Sequence, residues 1–132
     1  MNIFDVLNDI EQHGIELIEK SLPGQLRGMY SDHTILLDQD LTICEKKCIL
    51  AEELGHHFMN HGDVLDKNSL NSIKQEILAR RWGHHYIIPL TKIQITKYSC
   101  ENIFQLAEEL DVTEDFLIEA IDHYQQKYGV AI

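Results

Sequence analysis

The sequence predicts an α+β fold that is mostly helical, with a short antiparallel sheet beside one central helix and a helical C-terminal part. Two observations support this prediction. Apolar residues recur at helical spacing along most of the chain, and between residues 25 and 38 the period changes to that of paired strands. With 132 residues, of which 44% are apolar, the chain can bury a single core. We expect one domain over residues 1–90 and an acidic helical extension over residues 91–132.

The first elements are predicted from spacing. Residues 3–20 are expected to form one packing helix that ends before the breaker sequence Ser-Leu-Pro-Gly. Its apolar residues recur at helical spacing: Ile3, Leu7, Ile10, Leu17 and Ile18. Two runs, residues 26–30 and 34–37, flank the turn-prone sequence Ser-Asp-His and predict two adjacent antiparallel strands.

The next helix, predicted over residues 43–60, is the one around which the chain is organised. Thr42 and Glu45 have the spacing of a capping box at its start, and Gly62 can end it. A polar loop is expected to follow at residues 61–68.

Within that helix, residues four apart share a face, so Glu52 and His56 lie together with Glu53 beside them. This is the spacing of the H-E-x-x-H helix, in which two His bind zinc and the Glu activates water. Glu52 takes the place of the first His, and a carboxylate is a legitimate zinc ligand. We interpret Glu52 and His56 as metal ligands and Glu53 as the general base. The alternative is a solvated polar stripe, formed by Glu45, Glu52, Glu53, His56 and Asn60.

A second helix over residues 72–89 favours the metal interpretation. Its helical wheel places Glu76 on an apolar face, and a carboxylate buried without a partner is costly. Arg80, four residues on, is one candidate partner, in an ordinary helical ion pair. The other candidate partner is a metal ion bound jointly by Glu76 and by the helix over residues 43–60. Small residues on the same face would let the two helices approach closely: Ala79 and Gly83.

The remaining histidines near these helices have different expected positions. His57 and His85 point away from the proposed metal face and His61 falls beyond the helix, so we expect all three at the surface. His84 lies nearer to the sector of Glu76. It is a candidate donor of a hydrogen bond to a metal ligand or to the transition state.

Charge and cysteine content restrict partners and compartment. A net charge of −11 and a pI near 5.0 disfavour nucleic acid and anionic membranes as partners. No apolar run approaches the roughly 20 residues that span a membrane. Cys44, Cys48 and Cys100 cannot all pair and show no C-x-x-C spacing, which indicates free thiols in a reducing compartment. Because the N-terminus also has no basic segment of a signal peptide, we expect a cytoplasmic protein.

The C-terminal third has a helical pattern, and residues 105–116 resemble a helix-turn-helix with Thr113 as the cap of its second helix. From Glu101 to Ile132 there are eight acidic residues and one basic residue, Lys127. Binding to DNA phosphates needs Lys and Arg, so this composition argues against a DNA-binding function.

The two central helices together resemble the ImmA/IrrE metallopeptidase family. Three motifs carry the resemblance: E-E-L-G-H-H at residues 52–57, K-Q-E-x-x-A-R-R-W at residues 74–82 and I-I-P at residues 87–89. Members generally read H-E-L-G-H-H, then E-x-x-A and a closing L-x-P. The resemblance implies a small zincin-like domain in which Glu53 matches the general base, His56 a metal ligand and Glu76 the third ligand. Glu52 departs from the commoner pattern.

The resemblance also implies a function, that of a zinc-dependent endopeptidase of bacteria, prophages or mobile elements that cleaves and inactivates a helix-turn-helix repressor. Two carboxylate ligands would neutralise a divalent ion, so manganese and iron are alternatives to zinc. The second hypothesis is a non-catalytic binding module of the same fold that sequesters a repressor. We also hypothesise that one acidic turn docks onto the repressor's basic DNA-binding face: Glu108, Glu109, Asp111, Glu114 and Asp115.

Overall fold

The computed structural model describes residues 1–59 and 70–132, and these contain six α-helices and one three-stranded sheet. The elements in chain order are α1 (Ile3–Gln12), β1 (Glu16–Lys20), β2 (Gly28–Ser31), β3 (Thr34–Asp38), α2 (Ile43–Met59), α3 (Leu70–Ile87), α4 (Leu90–Thr96), a 3-10 turn (Lys97–Ser99), α5 (Ile103–Leu110) and α6 (Glu114–Tyr128). The predicted α+β class, mostly helical and compatible with a small zincin-like domain, is confirmed. The expected loop at residues 61–68 lies outside the described residues, as do Asn60, His61 and Gly62.

The N-terminal segment corrects the sequence prediction, because residues 3–20 do not form one helix. α1 ends at Gln12, and Gly14 turns the chain with a left-handed φ of 67° that other residues rarely adopt. The rest of the segment is β1, which pairs in parallel with β3 and places Glu16 opposite Thr34. Helical spacing could not reveal this strand, since its partner lies 18 residues further along the chain.

The sheet is mixed, which corrects the prediction of a purely antiparallel sheet. β2 and β3 do form the expected antiparallel hairpin, with Ser31 opposite Thr34. Asp32 and His33 turn the chain with φ values of 46° and 59°, as in the two-residue turns that suit twisted hairpins. The strand order is β1-β3-β2, so β3 is central and β2 is an edge strand.

The packing of α2 against α3 places the site residues opposite one another. α2 begins with the predicted capping box, in which the backbone N–H of Thr42 donates to Glu45 Oε1 at 3.0 Å and that of Glu45 donates to Thr42 Oγ1 at 3.1 Å. The two helices approach closely at Gly55, where an added Cβ would lie 2.1 Å from the carbonyl oxygen of Ala79. At Gly83 an added Cβ would lie 3.2 Å from the backbone of Ala51. The predicted close approach at small residues is confirmed.

The C-terminal helices pack on the same core. Tyr124 of α6 donates its hydroxyl to the carbonyl of Ile88 at 2.9 Å, just after α3 ends. The buried Lys47 donates to Asp111 Oδ2 at 3.1 Å and to the carbonyl of Met1, so α2 is tied to the turn between α5 and α6. Among residues 1–59 and 70–132, no helix has the length and apolar character needed to cross a membrane.

Candidate active site

A cleft of about 550 Å³ opens between β2, α2 and α3. Its walls contain four of the five predicted site residues: Glu52, Glu53 and His56 from α2 and Glu76 from α3. Those on α2 face one side because positions four apart share a helix face, and the close helix contact presents Glu76 to them. The structure therefore brings the predicted base and the three predicted ligands together.

His56 links the two helices. Its Nε2 atom lies 2.9 Å from Glu76 Oε2 and 4.0 Å from Glu53 Oε1. Glu76 also forms an ion pair with Arg80, whose Nε lies 3.3 Å from Glu76 Oε1. Glu76 therefore has both the ion pair within α3 and the contact with α2. The hydrogen bond with His56 is the main reason that the pKa of Glu76 lies below its ordinary value, and Arg80 lowers it further. Glu76 is therefore ionised at neutral pH.

The environment of Glu76 differs from the expected buried apolar face. Its side chain is 44% exposed, and Ile73, one turn earlier, is also largely exposed. The packed stripe of α3 runs instead through Ala79, Gly83 and Ile87, further along the helix. Glu76 thus lies at the rim of the helix contact and faces the cleft.

Glu52 and Glu53 lie deeper in the cleft than Glu76, and the positive charges near them do not compensate for their burial. Burial raises the pKa of Glu52 to about 7; Arg80 opposes this rise, while Glu119 and Glu76 add to it. Burial likewise raises the pKa of Glu53 to about 7, with His56 opposing and the neighbouring Glu52 adding. Two carboxyl groups are therefore poised between their charged and neutral forms at neutral pH.

The donor set fits a divalent cation by its chemistry. Carboxylate and imidazole groups from Glu52, His56 and Glu76 are ligands used by zinc, and a cation beside the two buried carboxyl groups would supply the missing positive charge. Within the described residues, no three His, Cys, Asp or Glu side chains are arranged as a complete metal-binding group. His56 and Glu76 instead contact each other directly.

The fifth predicted residue, His84, lies elsewhere. It is 1% exposed and its Nδ1 atom lies 3.0 Å from Nδ1 of His123 on α6, with Phe116 against the ring edge. It does not line the cleft. Neither Nε2 atom of this pair has a hydrogen-bond partner among the described residues. Burial lowers the pKa of His84 to about 3 and that of His123 to about 4, so both rings are neutral at pH 7.

The other histidines follow the sequence predictions in part. His85 is exposed, as predicted. His57 is only partly exposed, since its Nδ1 atom lies 2.7 Å from the hydroxyl of Tyr30 on β2. His57 thereby joins the α2 helix to the strand that lines the cleft.

Residues of β2 in the cleft wall and one partner of Arg80 were not predicted as part of the site. Gly28 and Tyr30 of β2 line the cleft, and an added Cβ at Gly28 would lie 3.4 Å from Glu53 Oε2. The alternation of a strand was a usable signal, because residues two apart face the same side. Glu119 of α6 reaches Arg80, with Oε1 3.5 Å from Nη1. No local pattern could have paired them across 39 residues.

Comparison with known proteins agrees with the geometry. Residues 10–122 match the peptidase family M78, described as the IrrE N-terminal-like domain. The match covers most of the chain and includes β1 to α5, the whole cleft and the first part of α6. No curated protein matches the chain significantly.

Proposed function

The chain belongs to the IrrE N-terminal-like peptidase family, and from this premise we propose that it is a metal-dependent endopeptidase that cleaves and inactivates a helix-turn-helix transcriptional repressor. One observation carries the proposal. Glu52, Glu53 and His56 of α2 converge with Glu76 of α3 on one cleft, beside an edge strand. This convergence supports a site that combines metal ligands, a general base and a binding strand for an extended peptide.

Three residues would hold the metal: Glu52, His56 and Glu76. A divalent ion bound there acts as a Lewis acid, which polarises a peptide carbonyl and lowers the pKa of an attacking water. Zinc is the first candidate, and two carboxylate ligands leave manganese and iron as alternatives. Arg80 holds the second oxygen of Glu76 at 3.3 Å, which fixes how this carboxylate presents its other oxygen to His56.

Glu53 is the proposed general base. It is only 7% exposed, and its carboxylate lies beside His56 without forming a short ion pair with it. A carboxyl group whose pKa is raised toward neutrality accepts a proton from water and then returns it to the leaving amine nitrogen. A cation in the cleft would lower this pKa and keep Glu53 ionised for the first transfer.

The edge strand β2 is the proposed seat of the substrate. In the described part of the chain, β2 pairs with β3 on one side, and Gly28 to Tyr30 line the cleft. An extended peptide can add to such an edge through main-chain hydrogen bonds, while side-chain pockets select its sequence. A cytoplasmic repressor is the substrate that this proposal names.

The test compares the wild-type chain with Glu53→Gln, whose amide keeps the shape of the side chain but cannot accept the proton. Metal content is measured for both, and each is incubated with a purified helix-turn-helix repressor from the same organism, with chelator and with metal added back. We expect equal metal content, cleavage by the wild type only, and loss of cleavage on chelation. Undiminished cleavage by Glu53→Gln would exclude this base.

The same experiment addresses the second candidate, a non-catalytic module that sequesters a repressor. Its specific support is Glu52, which stands where the family generally has His. A wild-type chain that binds the repressor but never cleaves it, whichever metal is supplied, would favour that function.

A further inference from the structure

A second cavity lies between α3 and α6 and has a volume of about 510 Å³, within the range of roughly 300–1,000 Å³ that small-molecule sites occupy. α3 lines it with residues that share one helix face through their spacing: Leu78, Arg81, Trp82 and His85. α6 adds a second set with similar spacing: His123, Gln126 and Lys127. Glu76 and Arg80 line the active-site cleft instead, and no described residue lines both cavities. We call this cavity the α3–α6 pocket.

The charge of the α3–α6 pocket is opposite to that of the chain. Arg81 and Lys127 line it, and none of its described lining residues is a carboxylate, although the chain has 22 acidic residues against 11 basic ones. Neither cation forms an ion pair with any residue in 1–59 or 70–132. Two positive charges without a counter-charge, in a protein of net charge −11, attract anions to this one cavity.

A buried histidine in the wall of the pocket lacks a hydrogen-bond partner. His123 is 4% exposed, its Nδ1 atom lies 3.0 Å from Nδ1 of His84, and its Nε2 atom has no partner in the described part of the chain. Both rings are neutral at pH 7, so one Nδ1 donates to the other, and the accepting ring has its proton on Nε2. When His84 donates, His123 has an Nε2–H group without an acceptor. A buried donor of this kind is costly, and an anionic group in the pocket would supply the acceptor.

The positive charges of the pocket act on this same histidine. Burial is the main reason that the pKa of His123 lies at about 4, and Arg81, His85 and Lys127 lower it further. No carboxylate among the described residues opposes this effect. The positive potential is therefore concentrated where His123 meets the two cations, and a single anionic group there would interact with all three.

The rest of the pocket wall is apolar. Trp82 stacks on Phe58 and on Tyr86, with ring centroids 5.0 Å and 4.8 Å apart, so its ring is held in place. Leu78 is 42% exposed and Met59 of α2 also lines the cavity. An apolar wall with a few polar groups that converge at one side is the usual composition of a pocket for an organic ligand.

We propose that the α3–α6 pocket binds a small organic anion, whose flat apolar body lies against Trp82 and Leu78 and whose carboxylate or phosphate group binds Arg81, Lys127 and His123. A guanidinium group suits both anions, because it donates two parallel hydrogen bonds to either of them. The site uses none of the proposed metal ligands, so it does not depend on the proposed function.

Helix stability offers a competing reason for one of the charges. Lys127 lies in the last turn of α6, where a cation stabilises a helix C-terminus, and its Nζ atom also lies 5.3 Å from the ring centroid of Tyr128. That reason does not apply to Arg81, which lies before the last turn of α3. Lys74 is a matched control for Arg81, since it is exposed on the same helix but does not line the pocket.

The experiment uses the one tryptophan of the chain as a reporter. Because Trp82 is the only tryptophan, its indole N–H gives a single resonance in the proton–nitrogen NMR spectrum of the isotopically labelled full chain. The probes are naphthoate, naphthyl phosphate and the uncharged naphthylmethanol, which share one ring system. We expect a saturable shift of the Trp82 resonance with an anion that binds about tenfold tighter than the alcohol. The tighter of the two anions identifies the preferred acidic group.

The variants separate this pocket from general attraction of anions. Arg81→Gln should remove the tenfold preference for the anion, whereas Lys74→Gln, which removes the same charge outside the pocket, should keep it. Equal affinities for anion and alcohol, an equal loss in both variants, or no saturable shift with either anion would overturn the proposal. The backbone amide resonances check that each variant folds. Should Arg81→Gln unfold, Lys127→Gln tests the same charge from α6. No step measures cleavage, so the result stands whether or not the chain is a peptidase.

Discussion

Gly55→Ala tests whether the helix contact sets the geometry of the site. The new Cβ would lie 2.1 Å from the carbonyl oxygen of Ala79, whereas carbon and oxygen ordinarily approach to roughly 3.3 Å. α2 and α3 must therefore separate by about 1 Å, because the obstacle is backbone rather than a movable side chain. Overpacking of this kind costs about 1–3 kcal/mol, and the gain of about 1 kcal/mol in helix propensity offsets part of it. Because the clash is with backbone, we expect the upper end of this range and a net loss of about 2 kcal/mol in the free energy of unfolding.

The matched control is Gly83→Ala, where the added Cβ would lie 3.2 Å from the backbone of Ala51 and a shift of a few tenths of an ångström suffices. Its strain and its gain in helix propensity nearly cancel, so its stability should change little. Urea unfolding measures both variants, and metal content is measured on the folded proteins, since the separation also moves His56 away from Glu76. Equal stability and equal metal content for Gly55→Ala and Gly83→Ala would refute the reasoning.

Three further predictions address the ligand, the buried histidines and the acidic turn. Glu76→Ala should lose the bound divalent metal while the far-UV circular dichroism is unchanged; metal analysis with full occupancy would remove Glu76 from the site. His84 and His123 have folded pKa values of about 3 and about 4, below the 6.5 of an unfolded chain, so the unfolded state binds protons first. The contribution of each ring to stability should therefore fall as pH decreases from about 6.5 to about 4, by about 2 kcal/mol at about pH 5. Glu52 and Glu53, whose pKa values are raised, contribute in the opposite direction, so the measurement is the difference between urea titrations of the wild type and of His123→Gln across pH; parallel curves would contradict the prediction. Association with the repressor should slow as salt rises and the Debye length shrinks toward about 3 Å at 1 M, and the double variant Glu109→Lys, Asp115→Lys should slow it too; unchanged stopped-flow rates and salt slopes would remove the steering role.

The parts of the fold that sequence reasoning predicted are those determined by local patterns. The Thr42–Glu45 capping box, the β2–β3 hairpin and the Thr113 cap depend on residues three to nine apart, and all are present. The same holds for the cleft, since Glu52 and His56 share a face through helix spacing alone.

The parts that were missed depend on contacts between distant residues. Leu17 and Ile18 of β1 fit the helical spacing of the residues before them, and the pairing with β3 makes the segment a strand instead. His84 was placed near Glu76 by its angle on the helical wheel, yet α6 supplies His123 as its partner. Glu119 reaches Arg80 from the same helix. Nothing within one helix specifies which neighbour packs on it.

The mixed sheet also gives the protein two edges that meet solvent differently. β2 presents Gly28 to the cleft, whereas β1 at the other edge exposes Glu16, Glu19 and Lys20. Charged side chains along an edge strand oppose its pairing with a second copy. The edge at β2 can thus pair with an extended peptide, while the edge at β1 resists pairing with further copies of the protein. Replacing Glu16 and Glu19 with Val should make concentrated solutions of the protein self-associate.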